Sequence, residues 1–312
     1  MPSPILVVGS VALDDIHTPT GHMTEAFGGS ASYFALAARH FAPVRVVAVV
    51  GTDFPQPHRA LLEDRGVDTL GLEVAPGQTF RWGGRYADDL NTRTTLFTHL
   101  NVFESFHPTI PRSHRRTPYV FLGNIHPSLQ AEVLKQVQGP ALVFLDTMNL
   151  WIETARTELL NVLTSVDVFI LNDGEARQLA DESNLLRAGR RLLGLGPHTV
   201  VIKKGEHGAL MLTRQSTFCV PAIPLAQVHD PTGAGDAFAG GFVGHIAATG
   251  DHGAESLRRA VGYGTVVASF TVEDFGVRGL CDIDSQDIGG RFGELCNLTQ
   301  FRASERLQRT QL

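Results

Sequence analysis

Cysteine is scarce: Cys219, Cys281 and Cys296 are the only three in 312 residues. Their spacing pairs nothing, which argues for a reducing compartment and against a disulfide framework or a structural zinc site. None of the 13 histidines falls at a metal-ligand spacing. Surplus positive charge is missing too. The net charge of −6 speaks against a nucleic-acid partner, and the single basic cluster, Arg112 to Arg116, is short enough to be a solvated loop. No apolar run is long enough for a bilayer, and Met1-Pro2-Ser3-Pro4 runs into a strand without a basic segment. Neither membrane span nor signal peptide is therefore expected, and the expected location is cytoplasmic. Two phosphate motifs also fail. The G-x-G-x-x-G dinucleotide fingerprint would need glycine where Phe238 stands, and the Gly-Lys-Ser/Thr ending of Walker A is absent.

What is present is a large apolar fraction, 43% of the residues, enough for one large α/β domain with a small appendage or for two domains. Continuous apolar runs at Ile5–Val8 and Val44–Gly51 predict buried parallel strands, as do Tyr119–Leu122, Ala141–Leu145, Val168–Leu171 and Thr199–Lys203. Helical patterns lie between them, near His58–Arg65, Leu129–Gln136, Ile152–Leu163 and Asn184–Leu195. An Ala-rich helix to Phe41 would take Ser30 or Ser32 as its N-cap. Strand and helix alternating this often mean a doubly wound parallel sheet. Between Thr79 and Thr98 two strand patterns occur with no helix between them, which reads as a small β-sheet outside the main one, a lid. A hairpin, Ala209–Leu212 with Thr217–Val220, follows later, then helices to Thr249, over Ala254–Thr271 and near Ile288–Phe301.

The chemistry concentrates in His229-Asp230-Pro231-Thr232-Gly233-Ala234-Gly235-Asp236. Two glycines let the backbone turn tightly, so the amides of Gly233, Ala234 and Gly235 can converge on one anion at a helix N-terminus. Asp236 in the first helical turn could merely complement the dipole, but inside such a turn it reads as a general base beside an anion hole. Gly240, Gly241 and Gly244 would let that helix lie close to its neighbours.

This stretch resembles the second signature of the ribokinase-like, or phosphofructokinase-B (PfkB), family of sugar and nucleoside kinases. The resemblance implies a three-layer α/β/α sandwich with a mostly parallel central sheet and a small β-sheet lid. It implies one kinase domain over 1–301, with the lid at about 79–100, and a polar tail at 302–312. Asp236 would take the substrate's hydroxyl proton, and Gly233, Ala234 and Gly235 would hold charge on the phosphoryl group in transfer. Gly9-Ser10-Val11-Ala12-Leu13-Asp14 is similar to the first-strand motif, which assigns Asp14 to acceptor hydroxyls. Gly28 and Gly29 resemble the di-glycine segment that lets the substrate come close. Ala12 and Tyr33 stand where ribokinases usually have asparagines.

The remaining pieces are similar in kind. Asn172-Asp173-Gly174-Glu175 matches the N-x-x-E motif, which implies a magnesium role for Glu175, partly through water, with support from Asn172; the same residues also suit a helix cap. Lys203, Gly205 and Gly208 resemble the nucleotide loop. Asp146 and Asn149 lie where family members carry Asp-Pro-Asn, and Asn124 is a strand-end residue expected near the substrate. Asp230 and the loop Ser269–Gly276 resemble a monovalent-cation site that would suit potassium. The lid aromatics Phe80, Trp82, Tyr86 and Phe97 form a packing face or a stacking surface for a nucleobase. The function implied is ATP-dependent, magnesium-assisted phosphorylation of a sugar or sugar derivative. A nucleoside kinase is the second reading, and a silent small-molecule-binding protein on the same scaffold the third. Exposed lid edges would allow a homodimer.

Overall fold

The computed structural model describes residues 1–300. The expected tail, 302–312, and Phe301 lie outside the described residues. The chain opens with β1 (Ile5–Val8), β2 (Ala12–Thr18) and β3 (Gly21–Gly28), then α1 (Ser30–Ala38), β4 (Val44–Gly51), α2 (Gln56–Asp64) and β5 (Asp68–Ala75). Next come β6 (Phe80–Tyr86), β7 (Arg93–His99), β8 (Tyr119–Leu122), α3 (Pro127–Gln136), β9 (Leu142–Leu145), α4 (Asn149–Thr154) and α5 (Arg156–Leu163). After β10 (Val168–Asn172), α6 (Asp173–Ala180), α7 (Leu185–Leu193) and β11 (Thr199–Lys203) runs the hairpin β12 (Ala209–Thr213) and β13 (Thr217–Val220). Four helices close the described chain: α8 (Ala234–Thr249), α9 (Ala254–Thr271), α10 (Arg278–Cys281) and α11 (Ser285–Thr299).

The large sheet has nine strands in the order β13-β12-β11-β10-β9-β8-β1-β4-β5. Every pair is parallel except β11 with β12 and β12 with β13. Successive residues point to opposite faces, and both faces are dry. Ile5 and Val7 join the core against α1, α8 and α9, whereas Leu6 and Val8 join the core on the other face. These two cores make the α/β/α layering. Strand order reverses between β1 and β8, and in an open α/β sheet the crevice beyond the carboxyl ends at such a reversal receives ligands. Close packing of α8 rests on the glycines expected to allow it. A methyl on Gly240 would stand 2.6 Å from the Ala37 methyl, and one on Gly241 2.8 Å from the Tyr263 carbonyl oxygen.

A four-stranded sheet, ordered β3-β2-β6-β7, stands apart from the large one. It is broader than the lid expected over 79–100, because β2 and β3 join it: β2 runs parallel to β6, with Asp14 beside Trp82. Asp14 and Asp15 are thus strand residues, and a carboxylate pair interrupting the apolar run hid that strand. Ser30 and Ser32 do not cap α1. Gly29 holds that position at φ 92°, while Ser30 Oγ accepts from Ser10 N–H at 3.1 Å. The helix expected over Ile152–Leu163 is broken at Ala155 into α4 and α5. No described helix is long and apolar enough to cross a membrane.

Candidate active site

The turn before α8 is shaped by Gly233, which holds φ 76° and lies under the Tyr33 ring, 2.3 Å from where a side chain would begin. Any L-residue there would be strained and would collide with that ring. No side chain caps α8, and the Ala234 amide donates to Pro231 O at 3.3 Å. The remaining first-turn donors are left to a ligand, and an anion there gains the helix dipole.

Asp236 is half-buried on that first turn. Burial, then Asp146, push its carboxyl up to about 7, against the opposite pull of Lys203 and Arg93. Lys203 ends β11 and reaches across to Asp146, which follows β9: Nζ to Oδ2 is 2.8 Å. Burial pulls the ammonium down, but Asp146, Glu175 and Asp236 outweigh it and hold Lys203 above its ordinary range. That ammonium sits against the turn, 3.0 Å from where a methyl on Gly235 would stand. Positive charge, helix N-terminus and a near-neutral carboxyl therefore meet at one place, at the carboxyl ends of the parallel strands.

Asp14 faces the same place from the small sheet and is 4% exposed. Burial pushes it up to about 8, and Asp230 and Asp236 add to the rise. A methyl on Gly28 would stand 1.9 Å from its Oδ2, so Gly28 is what lets that carboxyl in. Each Asp230 carboxylate oxygen accepts from a backbone amide, Thr232 N–H at 2.8 Å and Gly276 N–H at 2.9 Å. It ties the turn to the loop after α9. Asn172 and Glu175 form a reciprocal capping box at the start of α6. Asn172 N–H donates to Glu175 Oε2 at 2.7 Å, and burial followed by Asp146 push Glu175 up to about 7.

Against this geometry stand the known proteins. A family model described as pfkB family carbohydrate kinase matches residues 129–283. A cytidine kinase from Thermococcus kodakarensis is 29% identical over 245 residues, 77% of this chain and 87% of that protein. Together they support a ribokinase-like, pfkB-type kinase. The chain is a phosphotransferase of the carbohydrate and nucleoside kinase type. Among solved structures, the Burkholderia thailandensis nucleoside kinase in complex with inosine matches with a TM-score of 0.75 at 21% identity, covering 94% of this chain and 99% of that one. The fructokinase of Vibrio cholerae O395, in its fructose, ADP and calcium ion bound form, matches with a TM-score of 0.72 at 19% identity, covering 93% and 99%. Both share the three-layer fold with this kinase.

Other expected site residues of the kinase have partners within the protein. Asn124 accepts from Trp151 Nε1 at 2.8 Å and donates to Met148 Sδ at 3.2 Å, while Asn149 donates to Gln178 at 2.6 Å. Gly205 and Gly208 both hold positive φ in the turn before β12, and a methyl on Gly205 would stand 3.0 Å from Asn91 Oδ1 of the β6–β7 turn. The four lid aromatics separate. Phe80 packs on Phe103, Phe97 lies over Gly83, Tyr86 accepts from Thr232 Oγ1 at 3.1 Å, and Trp82 lies over Gly84 with Arg93 on its ring, 5.1 Å from the centroid.

Arg93 is the residue the sequence reading passed over. It opens β7, is exposed, and its charge reaches Asp236, Glu175 and Tyr86. Only the folded proximity of β7 to α8 marks it; no local motif does. Tyr33 was noted as a departure from asparagine, but its ring beneath Gly233 was not foreseen.

Proposed function

We propose that this kinase transfers the γ-phosphoryl group of ATP to a hydroxyl on the sugar portion of a small acceptor. One observation carries this: Asp236, near neutrality on the first turn of α8, shares its site with Lys203 and Arg93 on one side and Asp14 on the other. Asp236 removes the proton from the acceptor hydroxyl, whose oxygen bonds to the γ-phosphorus as the bond to the β-phosphate oxygen breaks and ADP leaves. The amides of Gly233 and Gly235, Lys203 and Arg93 offset the charge spread over the phosphoryl oxygens, so the protein contributes chiefly positioning and electrostatics. Asp14, able to accept two hydrogen bonds, orients the acceptor.

The donor set fits magnesium. Glu175 keeps Oε1 beyond the capping box, and a carboxyl driven toward neutrality by burial and then by Asp146 would gain from an added cation; a single oxygen donor of this kind suits an ion that keeps several waters and takes phosphate oxygens. Magnesium, when bound, would neutralise charge on the ATP oxygens.

Free sugars and nucleosides both present the required hydroxyl. The cytidine kinase relative favours a nucleoside as the second reading. Against stacking of a base on the lid, Arg93 already covers the Trp82 ring and the other three aromatics have partners. ADP release at fixed Mg-ATP, measured across ribose, fructose, sugar acids, cytidine and inosine, tests the reading. Turnover that disappears in Asp236→Asn supports it, and silence across the panel with acceptor binding intact sinks it.

A further inference from the structure

Tyr33 lies in α1, 1% exposed, and its phenol oxygen has no hydrogen-bond partner among the described residues. The ring has a structural task as the floor beneath Gly233. A phenylalanine would perform that task without burying a polar atom, and the neighbouring Phe34 is packed in this way against Phe121. The hydroxyl is therefore the part that needs a reason, since buried polar groups are nearly always paired.

Its surroundings supply one. Burial pushes the phenol well above its ordinary range, with Asp230, Asp14, Tyr86 and Asp236 adding to the rise, so the oxygen keeps its proton and acts as a donor. The groups whose charge reaches it belong to the elements that frame the site: Asp14 on β2, Tyr86 on β6, Asp230 in the turn and Asp236 on α8. Asp230 is already committed to Thr232 and Gly276, and the Tyr86 hydroxyl to Thr232. Asp14 is not bonded to any side chain among the described residues, its one noted partner being the Gly29 backbone. A buried donor without an acceptor thus stands within electrostatic reach of a carboxyl group with capacity to accept. A single ligand hydroxyl can satisfy both, because it accepts through its oxygen and donates through its hydrogen.

Resting on the kinase reading above, we propose that Tyr33 is a specificity-determining residue of the acceptor site: its hydroxyl donates to a non-reacting hydroxyl of the acceptor, which in turn donates to Asp14. The acceptor must then carry a second hydroxyl close to the one phosphorylated. An analogue lacking it leaves two buried polar groups unpaired, and sites built to hydrogen-bond a hydroxyl discriminate strongly against its absence.

The test compares wild type, Tyr33→Phe, Asp14→Asn and the double variant on ribose with 2-deoxyribose and on cytidine with its 2′- and 3′-deoxy forms. ADP release gives kcat and KM, and calorimetry gives acceptor affinity. Tyr33→Phe keeps the ring under Gly233, and thermal unfolding checks that it stays folded. The expected result is about a tenfold rise in KM for the full acceptor with kcat little changed. That penalty should vanish for one deoxy analogue, the same analogue whose binding Asp14→Asn leaves unaffected. An equal penalty on every acceptor would mean that the ring merely supports the turn and would overturn the proposal, as would no penalty at all. If Tyr33→Phe folds poorly, Asp14→Asn carries the test: equal losses on every analogue again overturn it. Wild type that binds acceptors without releasing ADP sinks the kinase reading while the calorimetric comparison still decides on Tyr33. Wild type that binds none of the panel sinks both.

Discussion

The two sheets hold their functional groups in opposite ways. In the large sheet β9, β10 and β11 are largely buried, and their carboxyl ends deliver Asp146, Glu175 and Lys203 to a site whose supporting strands cannot shift without disturbing two cores. In the small sheet β7 is almost wholly exposed, and only a minor cluster around Ile16, Ala26 and Tyr86 lies beneath it. Yet this sheet brings Asp14 and Arg93. The groups we assign to the phosphates stand, Arg93 excepted, on the deeply packed frame, and Asp14, which we assign to the acceptor, on the thinly packed one. Fixed geometry for a common donor and an adaptable surface for the acceptor follow from that division.

Four measurements would break or sharpen the contrast. Asp236→Asn, on the packed side, should lower turnover by roughly 10²–10⁴ with ATP still stabilising the protein in a thermal shift; near wild-type turnover would remove it from the role of base. Arg93→Ala, on the thin side, should lower kcat/KM by roughly 10² if its charge meets the transferred group. A change confined to acceptor KM would instead place it with Asp14.

Asp14→Asn should raise acceptor KM by about tenfold at neutral pH. It should also stabilise the fold, with a definite sign. The Asp14 pKa is raised from 3.8 to about 8 on folding, so its contribution is fully present below pH 4 and is lost as pH rises through 8. The gain in melting temperature from Asp14→Asn, on the order of a few degrees, should therefore be larger at pH 8 than at pH 5. The smallest effect concerns Lys203. Because Asp236 must be ionised to act, kcat/KM for the free enzyme should fall on the acid side with a limb near pH 7. Lys203→Met removes the cation that draws that carboxyl down, so the limb should move to higher pH; an unmoved limb would assign it to another group.

How much could be read from the chain divides along the same line. Ile5–Val8, Val44–Gly51 and Val168–Leu171 were legible because a strand buried on both faces must be apolar throughout. The edge strand β5 was not, since Leu70 and Val74 stand exposed among polar neighbours. Nor was β2, whose two aspartates broke the pattern. Around the site, Asp14, Glu175, Lys203 and Asp236 were legible because each belongs to a compact motif at a strand end or helix start. Arg93 and Tyr33 carry no such local mark. An arginine in a polar strand and a tyrosine in an Ala-rich helix have ordinary explanations, and only the folded structure, in which the Arg93 charge reaches Asp236 and the Tyr33 ring meets Gly233, gives them another.

Asp230 has one more consequence. Loop amides usually exchange their hydrogens with solvent quickly, because nothing but local fraying is needed to expose them. Those of Thr232 and Gly276 are each bonded to the carboxylate of a residue with no exposed surface. Exchange at Gly276 requires the turn and the loop after α9 to come apart, and exchange at Thr232 requires the buried Asp230 carboxylate to let go, so these two positions behave as members of the core although neither lies in a helix or a strand.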